Sequence, residues 1–340
     1  MASFKTTLEI GDRAPNFILP ARDGENYMFY DRVTGGPIIL TFIKGNDFQF
    51  DALAALLAAD LPDEADWYTI GFMLQEKFVQ TKAPPLPSRR IDFTDPRGVV
   101  SQAFGLTGEA GILTFILDPN QRVWGIVDDP SPQKHATAVT ALLKNSWQRQ
   151  IATVAVGTAP VILIPNALPH SMCQMLIQRW RDDHNEGQVS GSSASGVYAE
   201  KKRSLDHIIE DDQLCHQITQ ALGRRIMPEL HKVFTFDGEL TFTRYILAGY
   251  TGVRKDFFGL HRDNLTAATQ NRRFAVSLNL NDGFEGGCLR FPEYGNLLYH
   301  LSPGMACVFS CSLLHEATAV TKGTRVALTT FLCNPTSNRS

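Results

Sequence analysis

The sequence predicts two domains of different class, an α/β layer structure followed by an α+β domain built mostly of short strands. Three observations carry this. Residues 1–145 alternate strand-like with helix-like segments. From Glu239 the chain becomes a succession of short strands separated by turn signals. All six cysteines (Cys173, Cys215, Cys288, Cys307, Cys311 and Cys333) fall in the second half. At 340 residues the chain is long enough for two domains, each able to bury a core of its own.

In the first half, "PIILTFIKG" reads as a buried strand, "FDALAALLAADL" as a helix and "DWYTIGFML" as a second strand. "PRGVVSQAFGL" follows as a short helix, "GILTFILDP" and "RVWGIVDD" as a hairpin, and "PQKHATAVTALLKNSW" as a helix with apolar residues at helical spacing. Strands interleaved with helices give an α/β layer. The three prolines of "TKAPPLPSRR" mark a loop. The pattern changes near residues 150–158, giving domains over 1–152 and 158–340.

The second domain opens with an extended segment and the helix "PHSMCQMLIQRWRDDH". A Gly/Ser-rich loop, "NEGQVSGSSASGVYAEKKR", leads to the helical run "EDDQLCHQITQALGRRIMPELHKVF". Then come "ELTFTRYILA", "RRFAVSLNLN", "GCLRFPEYG", "NLLYHLS", "ACVFSC" and "RVALTTFLCN". Phe274, Val276, Leu278 and Leu280 alternate with Ala275, Ser277, Asn279 and Asn281, the period of a half-buried strand. Many short strands buttressed by preceding helices suggest a sandwich or barrel of the jelly-roll kind.

Composition bounds the function. A net charge of −3 argues against a general nucleic-acid binder. No apolar run reaches membrane-spanning length and the opening residues lack the pattern of a signal peptide, so no membrane partner is expected and a cytoplasmic location is. The cysteines form no CxxC pair, which speaks for free thiols over a zinc knuckle.

The chemistry concentrates around "GLHRDNL". On an extended strand His261 and Asp263, two apart, point to one face and Arg262 away. His315, 52 residues beyond Asp263 at the end of an apolar strand, is the candidate third ligand; His300 competes but is followed by no arginine at comparable spacing. Two histidines and a carboxylate with open positions form the ligand set of non-haem iron(II) oxygenases. Arg325, ten residues after His315, offers a planar guanidinium for a carboxylate, with Ala327 and Thr329 on its face of the strand.

With "HRDN", "EGGCLRFPEYG", "LSPGMACVFSC", "LHEATAVTKGTR" and "FTRYILAG" in this order, residues 160–335 resemble the iron(II)/2-oxoglutarate-dependent oxygenases, within them the prolyl 4-hydroxylase-like branch. The resemblance implies a double-stranded β-helix (jelly roll) and Fe(II) bound by His261, Asp263 and His315. It also implies 2-oxoglutarate held by Arg325 and Tyr245, O2 as oxidant and ascorbate as a candidate reductant. The reaction it implies is hydroxylation of a C–H bond coupled to decarboxylation of 2-oxoglutarate to succinate. Prolyl hydroxylases often carry lysine where Arg325 stands, a departure that bears on the substrate.

Residues 9–127 resemble peroxiredoxins of the thioredoxin fold through "IGDRAPNFILPARDGENYMFYD", "PIILTFIKGNDFQFDALAALL", "DFTDPRGVVSQAFGL" and "GILTFILDPNQRVWGIV". Peroxidase chemistry needs a thiolate after the first long strand, and "IKGNDFQFDAL" has none, nor has the rest of the domain. A homodimer through this domain is therefore the leading expectation, ahead of a docking surface or a wall beside the substrate pocket.

Basic residues cluster near the iron motif: Lys201, Lys202, Arg203, Arg254, Lys255, Arg262, Arg272 and Arg273. Arg262, Asn264 and Arg203 are the candidate substrate contacts, and a small-molecule or peptide substrate is the expected partner. Three readings stay open. The first is an oxygenase for a small amino-acid-like or natural-product substrate, the second a prolyl or other protein-residue hydroxylase, the third an inactive scaffold.

Overall fold

The computed structural model describes residues 5–21, 24–33, 35–44, 53, 55–57, 61, 65–71, 90–108, 111–147, 157–190, 195–196 and 199–335. The proline-rich loop, the "IKGNDFQFDAL" region beyond Lys44, most of the Gly/Ser-rich loop and the connector at 148–156 lie outside these residues, as do several positions of the first expected helix. The chain divides into two compact units, Met1–Ala152 and Thr153–Ser340.

The first unit is a thioredoxin-like α/β layer. A hairpin of β1 (Ile18–Pro20) and β2 (Asn26–Met28) precedes a mixed sheet of β3 (Ile38–Lys44), β4 (Asp66–Gly71), β5 (Arg90–Thr94), β6 (Gly111–Leu117) and β7 (Val123–Val127). The order is β5-β4-β3-β6-β7, with β3, β4 and β5 parallel and β6 and β7 antiparallel. β3 is apolar almost throughout because both its faces are covered. Leu40 and Phe42 pack with Phe29, Phe93 and Phe104 on one side, the last of these just beyond the short helix α1 (Val99–Ala103). Ile39 and Ile43 pack on the other with Ala136, Val139 and Leu143 of α2 (Pro132–Ser146).

The second unit is a jelly roll flanked by helices. After β8 (Ile162–Ile164) come α3 (His170–Asp182), β9 (Asn185–Glu186), β10 (Lys202–Arg203), β11 (Leu205–Ile209) and α4 (Asp212–Phe234). The strands that follow are β12 (Thr241–Phe242), β13 (Tyr245–Thr251), β14 (Phe257–His261), β15 (Arg272–Asn279), β16 (Leu289–Arg290) and β17 (Leu298–Tyr299). The last three are β18 (Ala306–Ser310), β19 (His315–Ala317) and β20 (Thr324–Cys333). A large sheet runs β8-β18-β15-β20-β13-β11-β9, and a smaller one β10-β14-β19-β16-β17.

Strand period decides what each face of the large sheet does. Phe274, Val276 and Leu278 of β15 and Val326, Leu328 and Leu332 of β20 bury against the helices. Helix α4 answers with Leu214, Ile218, Leu222, Ile226 and Leu230, a stripe at helical spacing, and starts on Asp211, whose carboxylate accepts from the Leu214 amide at 3.0 Å. Removing Leu222 to alanine there should cost about 2–5 kcal/mol. Gly249 is required for packing: a Cβ there would stand 2.0 Å from the Trp180 indole, which donates to Leu205 O at 2.7 Å. The opposite face of the sheet, with Ala275, Cys307 and Phe309, looks toward Leu289, Phe291 and Ala317 of the smaller sheet and its flank. The candidate site opens between these two layers.

Candidate metal centre

His261 ends β14 and His315 begins β19, and the antiparallel register pairs them directly. The backbone irregularity between Phe258 and His261 marks where β14 leaves regular pairing. Asp263 is not on the strand, as the i, i+2 reading expects. It sits in the turn just after it, anchored by its amide donating to Cys311 O at 3.0 Å. The turn brings its carboxylate back between the two rings, with Oδ1 3.4 Å from His261 Nε2 and Oδ2 3.5 Å from His315 Nε2. The ligand atoms of the three residues all lie within 4.8 Å of one another.

The surroundings fix which nitrogen faces the centre. His261 Nδ1 lies 2.7 Å from Gly259 O and His315 Nδ1 3.0 Å from Leu313 O. With Nδ1–H donating to these carbonyls, each Nε2 lone pair is turned toward Asp263, as ligation requires. Phe258 stacks on His261 at 3.6 Å between centroids, and Phe309 meets His315 edge-on at 4.6 Å. Burial pulls the His315 pKa down to about 4, which keeps it neutral and able to ligate at neutral pH. Burial pushes the Asp263 carboxyl up, but its interactions with His261, His315 and Arg272 outweigh that, so it lies below the usual range.

The centre lies on a cavity of about 1200 Å³. Arg325 is only 3% exposed, with its guanidinium 5.5 Å from the Tyr250 ring centroid, and it forms no ion pair among the described residues. Burial lowers its pKa, and Tyr250 and Cys288 act in the opposite sense. Gly287, at φ +62°, makes room for it, since a Cβ there would stand 2.9 Å from Arg325 Cδ. A buried cation without a protein anion is costly unless a ligand anion completes it. A histidine–histidine–carboxylate set plus a buried arginine thus fits a divalent metal with an acidic cosubstrate. Thr329 lines the same cavity.

Other expected residues fall elsewhere. Tyr245 is a correction: it points to the opposite face of β13, packs with Leu247 in the helix-side core, and bonds Thr219 at 2.6 Å through its hydroxyl. The residue facing the cavity is Tyr250, because Ile246, Ala248 and Tyr250 share the other parity of the strand. The signal was present in "YILAGYTG" as period 2. Arg262 is also corrected. It lies at the cavity but is engaged by Glu293 through both terminal nitrogens, at 2.6 and 3.1 Å, and donates to Ser312 O. Glu293 also accepts from the Leu314 amide at 3.0 Å, so Arg262 ties the turn carrying Asp263 to the approach to His315.

Asn264 donates to Ser312 Oγ at 2.8 Å, and Arg203 donates to Lys255 O at 3.1 Å with its guanidinium over Phe257; neither lines the cavity. Lys202 takes the place expected of its neighbour. It is 7% exposed, lines the cavity, pairs with Asp206 at 2.6 Å and lies 5.1 Å from the Phe258 ring centroid. His300 meets the Phe284 ring at a tilt, 5.3 Å between centroids, outside the cluster.

No family model matches the chain. A PKHD-type hydroxylase of Shewanella sp. (strain ANA-3) is 26% identical over 147 residues, which is 41% of this chain and 64% of that protein. Part of the chain is thus similar to a PKHD-type hydroxylase. The chain spans less than two thirds of the length of this relative. Among solved structures, a prolyl-4-hydroxylase from Pseudomonas putida superposes with a TM-score of 0.42 and 18% identity, covering 52% of this chain and 94% of that one. A peroxidoxin from Mycobacterium tuberculosis gives a TM-score of 0.36 and 20% identity, covering 42% and 99%. The motifs of the second unit, read with the Shewanella relative, fit a hydroxylase-like oxygenase unit. No described helix is long and apolar enough to cross a membrane.

Proposed function

We propose that the chain is an Fe(II)- and 2-oxoglutarate-dependent dioxygenase that hydroxylates an unactivated C–H bond of a small amino-acid-like or natural-product substrate in the cytoplasm. The observation that carries this reading is the buried Arg325, without an ion pair among the described residues, on the same cavity as His261, Asp263 and His315. Bound iron and 2-oxoglutarate supply the oxidation, one oxygen atom of O2 going to the substrate as hydroxyl and the other to succinate, with loss of carbon dioxide.

The residues then divide the work. His261 and His315 hold the metal through Nε2, their Nδ1–H groups locked on Gly259 and Leu313 carbonyls. Asp263 supplies the negative charge and the third ligand. Arg325 would hold the distal carboxylate of 2-oxoglutarate, with Tyr250 beside it. Phe258, Phe309 and Leu289 line the centre with apolar surface and keep water from the reacting atoms.

Anaerobic titration with Fe(II) and then 2-oxoglutarate tests the site, and succinate release against free amino acids and peptides tests the substrate class. Failure of either to bind the purified full chain sinks the assignment. Release stimulated by peptides alone would move it to a protein-residue hydroxylase. The first unit enters as a dimerisation module, supported by Ile18 and Met28, paired across its hairpin and exposed at 61% and 37%. Light scattering of the full chain at a monomer mass would refute that role.

A further inference from the structure

The cavity face of β13 and its approach reads Arg244, Ile246, Ala248, Tyr250; that of β20 reads Arg325, Thr329, Phe331. Tyr250 pairs with Arg325 at one end of this ladder. Phe331 lies six residues along β20 from Arg325, about 20 Å away at strand rise. At this far end two more cations gather. Arg272, at the start of β15, places its guanidinium 3.8 Å from the Phe331 ring centroid. Its Nη1 donates to the backbone carbonyl of Asp263 at 3.3 Å. Arg244 stands on the other side of β20, next to Thr243, whose amide donates to Phe331 O at 2.9 Å.

Neither arginine forms an ion pair with a carboxylate among the described residues, although both line the cavity. Other arginines of this unit are matched, among them Arg254 with Glu186, Arg262 with Glu293 and Arg290 with Glu316. Burial disfavours the Arg272 charge, Asp263 favours it, and Arg244 adds a smaller repulsion. An anion between the two arginines relieves the burial cost and the repulsion.

Resting on the oxygenase reading, we propose that Arg244 and Arg272, flanking Phe331, form the recognition site for a carboxylate of the substrate. The site is separate from Arg325, which serves the cosubstrate at the opposite end. Arg272 touches the residue that supplies the central ligand, so the oxidised carbon lies within a few bonds of the carboxylate. Phe331 and Ile246 give an apolar surface for the intervening atoms. An internal residue of a polypeptide has no backbone carboxylate, so the geometry favours a free acid as substrate.

The test is calorimetric and needs no turnover. The full chain, loaded with Mn(II) and saturating 2-oxoglutarate, is titrated with free L-amino acids and simple alkyl and aryl carboxylic acids, each matched with its primary amide and its phosphonate. At least one acid is expected to bind tenfold or more tighter than its amide. In Arg244→Gln and in Arg244→Gln/Arg272→Gln that ratio should fall to within about twofold, with Arg244→Lys retaining part of it. Mn(II) and 2-oxoglutarate binding by each variant shows that it is folded. Binding of no acid, equal binding of acid and amide, a preference confined to phosphonates, or an unchanged ratio in the double variant overturns the proposal while leaving the oxygenase reading intact. Failure of the wild-type chain to take up Mn(II) and 2-oxoglutarate overturns that reading and this one with it.

Discussion

Each unit buries a histidine, and the two are used in opposite ways. His135 of the first unit is fully buried, with Nε2 2.8 Å from Thr114 Oγ1 and Nδ1 2.9 Å from Asp129 O. Thr114 in turn bonds Thr41 at 2.9 Å, so both ring nitrogens are engaged by protein groups. His315 of the second unit is nearly as buried, yet only Nδ1 is bonded to backbone while Nε2 faces a carboxylate and a second imidazole. Burial lowers the pKa of both. Burial alone therefore does not identify a functional histidine; what matters is whether protein groups satisfy both ring nitrogens.

The largest effect expected is on the open histidine. His315→Ala or Asp263→Ala should weaken metal binding by at least about 100-fold, since even outer partners of metal ligands are worth about 10–100-fold. His135→Ala should leave metal binding unchanged and destabilise the first unit. Metal content after dialysis, beside hydrogen exchange of each unit, reads both, and equal metal loss in the two variants would erase the contrast.

Arg325 extends the comparison to cations. Arg325→Met should weaken 2-oxoglutarate binding by roughly 30-fold or more, the 2–5 kcal/mol of a buried charge pair losing one partner. The same change should raise the melting temperature of the ligand-free chain, because it removes a buried charge that lacks a protein anion. A lower melting temperature would show that Arg325 is held by the fold.

His135 also sets a pH dependence. Its folded pKa lies below the unfolded value near 6.5, so the unfolded chain binds the extra proton. The first unit should hold its full stability above about pH 6.5 and lose it as pH falls below that value. His135→Gln should flatten that slope, measured by hydrogen exchange at pH 5.5 and 7.5. The smallest effects separate the tyrosines. Tyr245→Phe should cost about 1 kcal/mol through the lost Thr219 bond and leave 2-oxoglutarate binding unchanged. Tyr250→Phe should weaken 2-oxoglutarate binding severalfold with stability nearly intact, and the reverse pattern would restore the Tyr245 assignment.

Much of the fold was readable because its elements obey local periods. The alternation in "RRFAVSLNLN" separates the helix-facing residues of β15 from its cavity-facing ones, and the apolar stripe of α4 follows from spacing alone. The strands at Arg90–Thr94 and Leu205–Ile209 are short, and their pairing comes from distant partners, so no local pattern announces them. The ligand types and Arg325 were likewise legible as residues in order.

By itself, then, the sequence determined the two classes of layer, the absence of any cysteine from the first, and the residue types of the candidate metal-binding set. Only the tertiary structure decided which tyrosine faces the cavity, that Asp263 reaches the centre from a turn, and that Glu293 occupies Arg262. It also decided that Arg244 and Arg272 line one cavity from either side of β20. Strand parity and pairing register between residues tens of positions apart set these outcomes, and a shift of one residue would have turned each side chain to the other face.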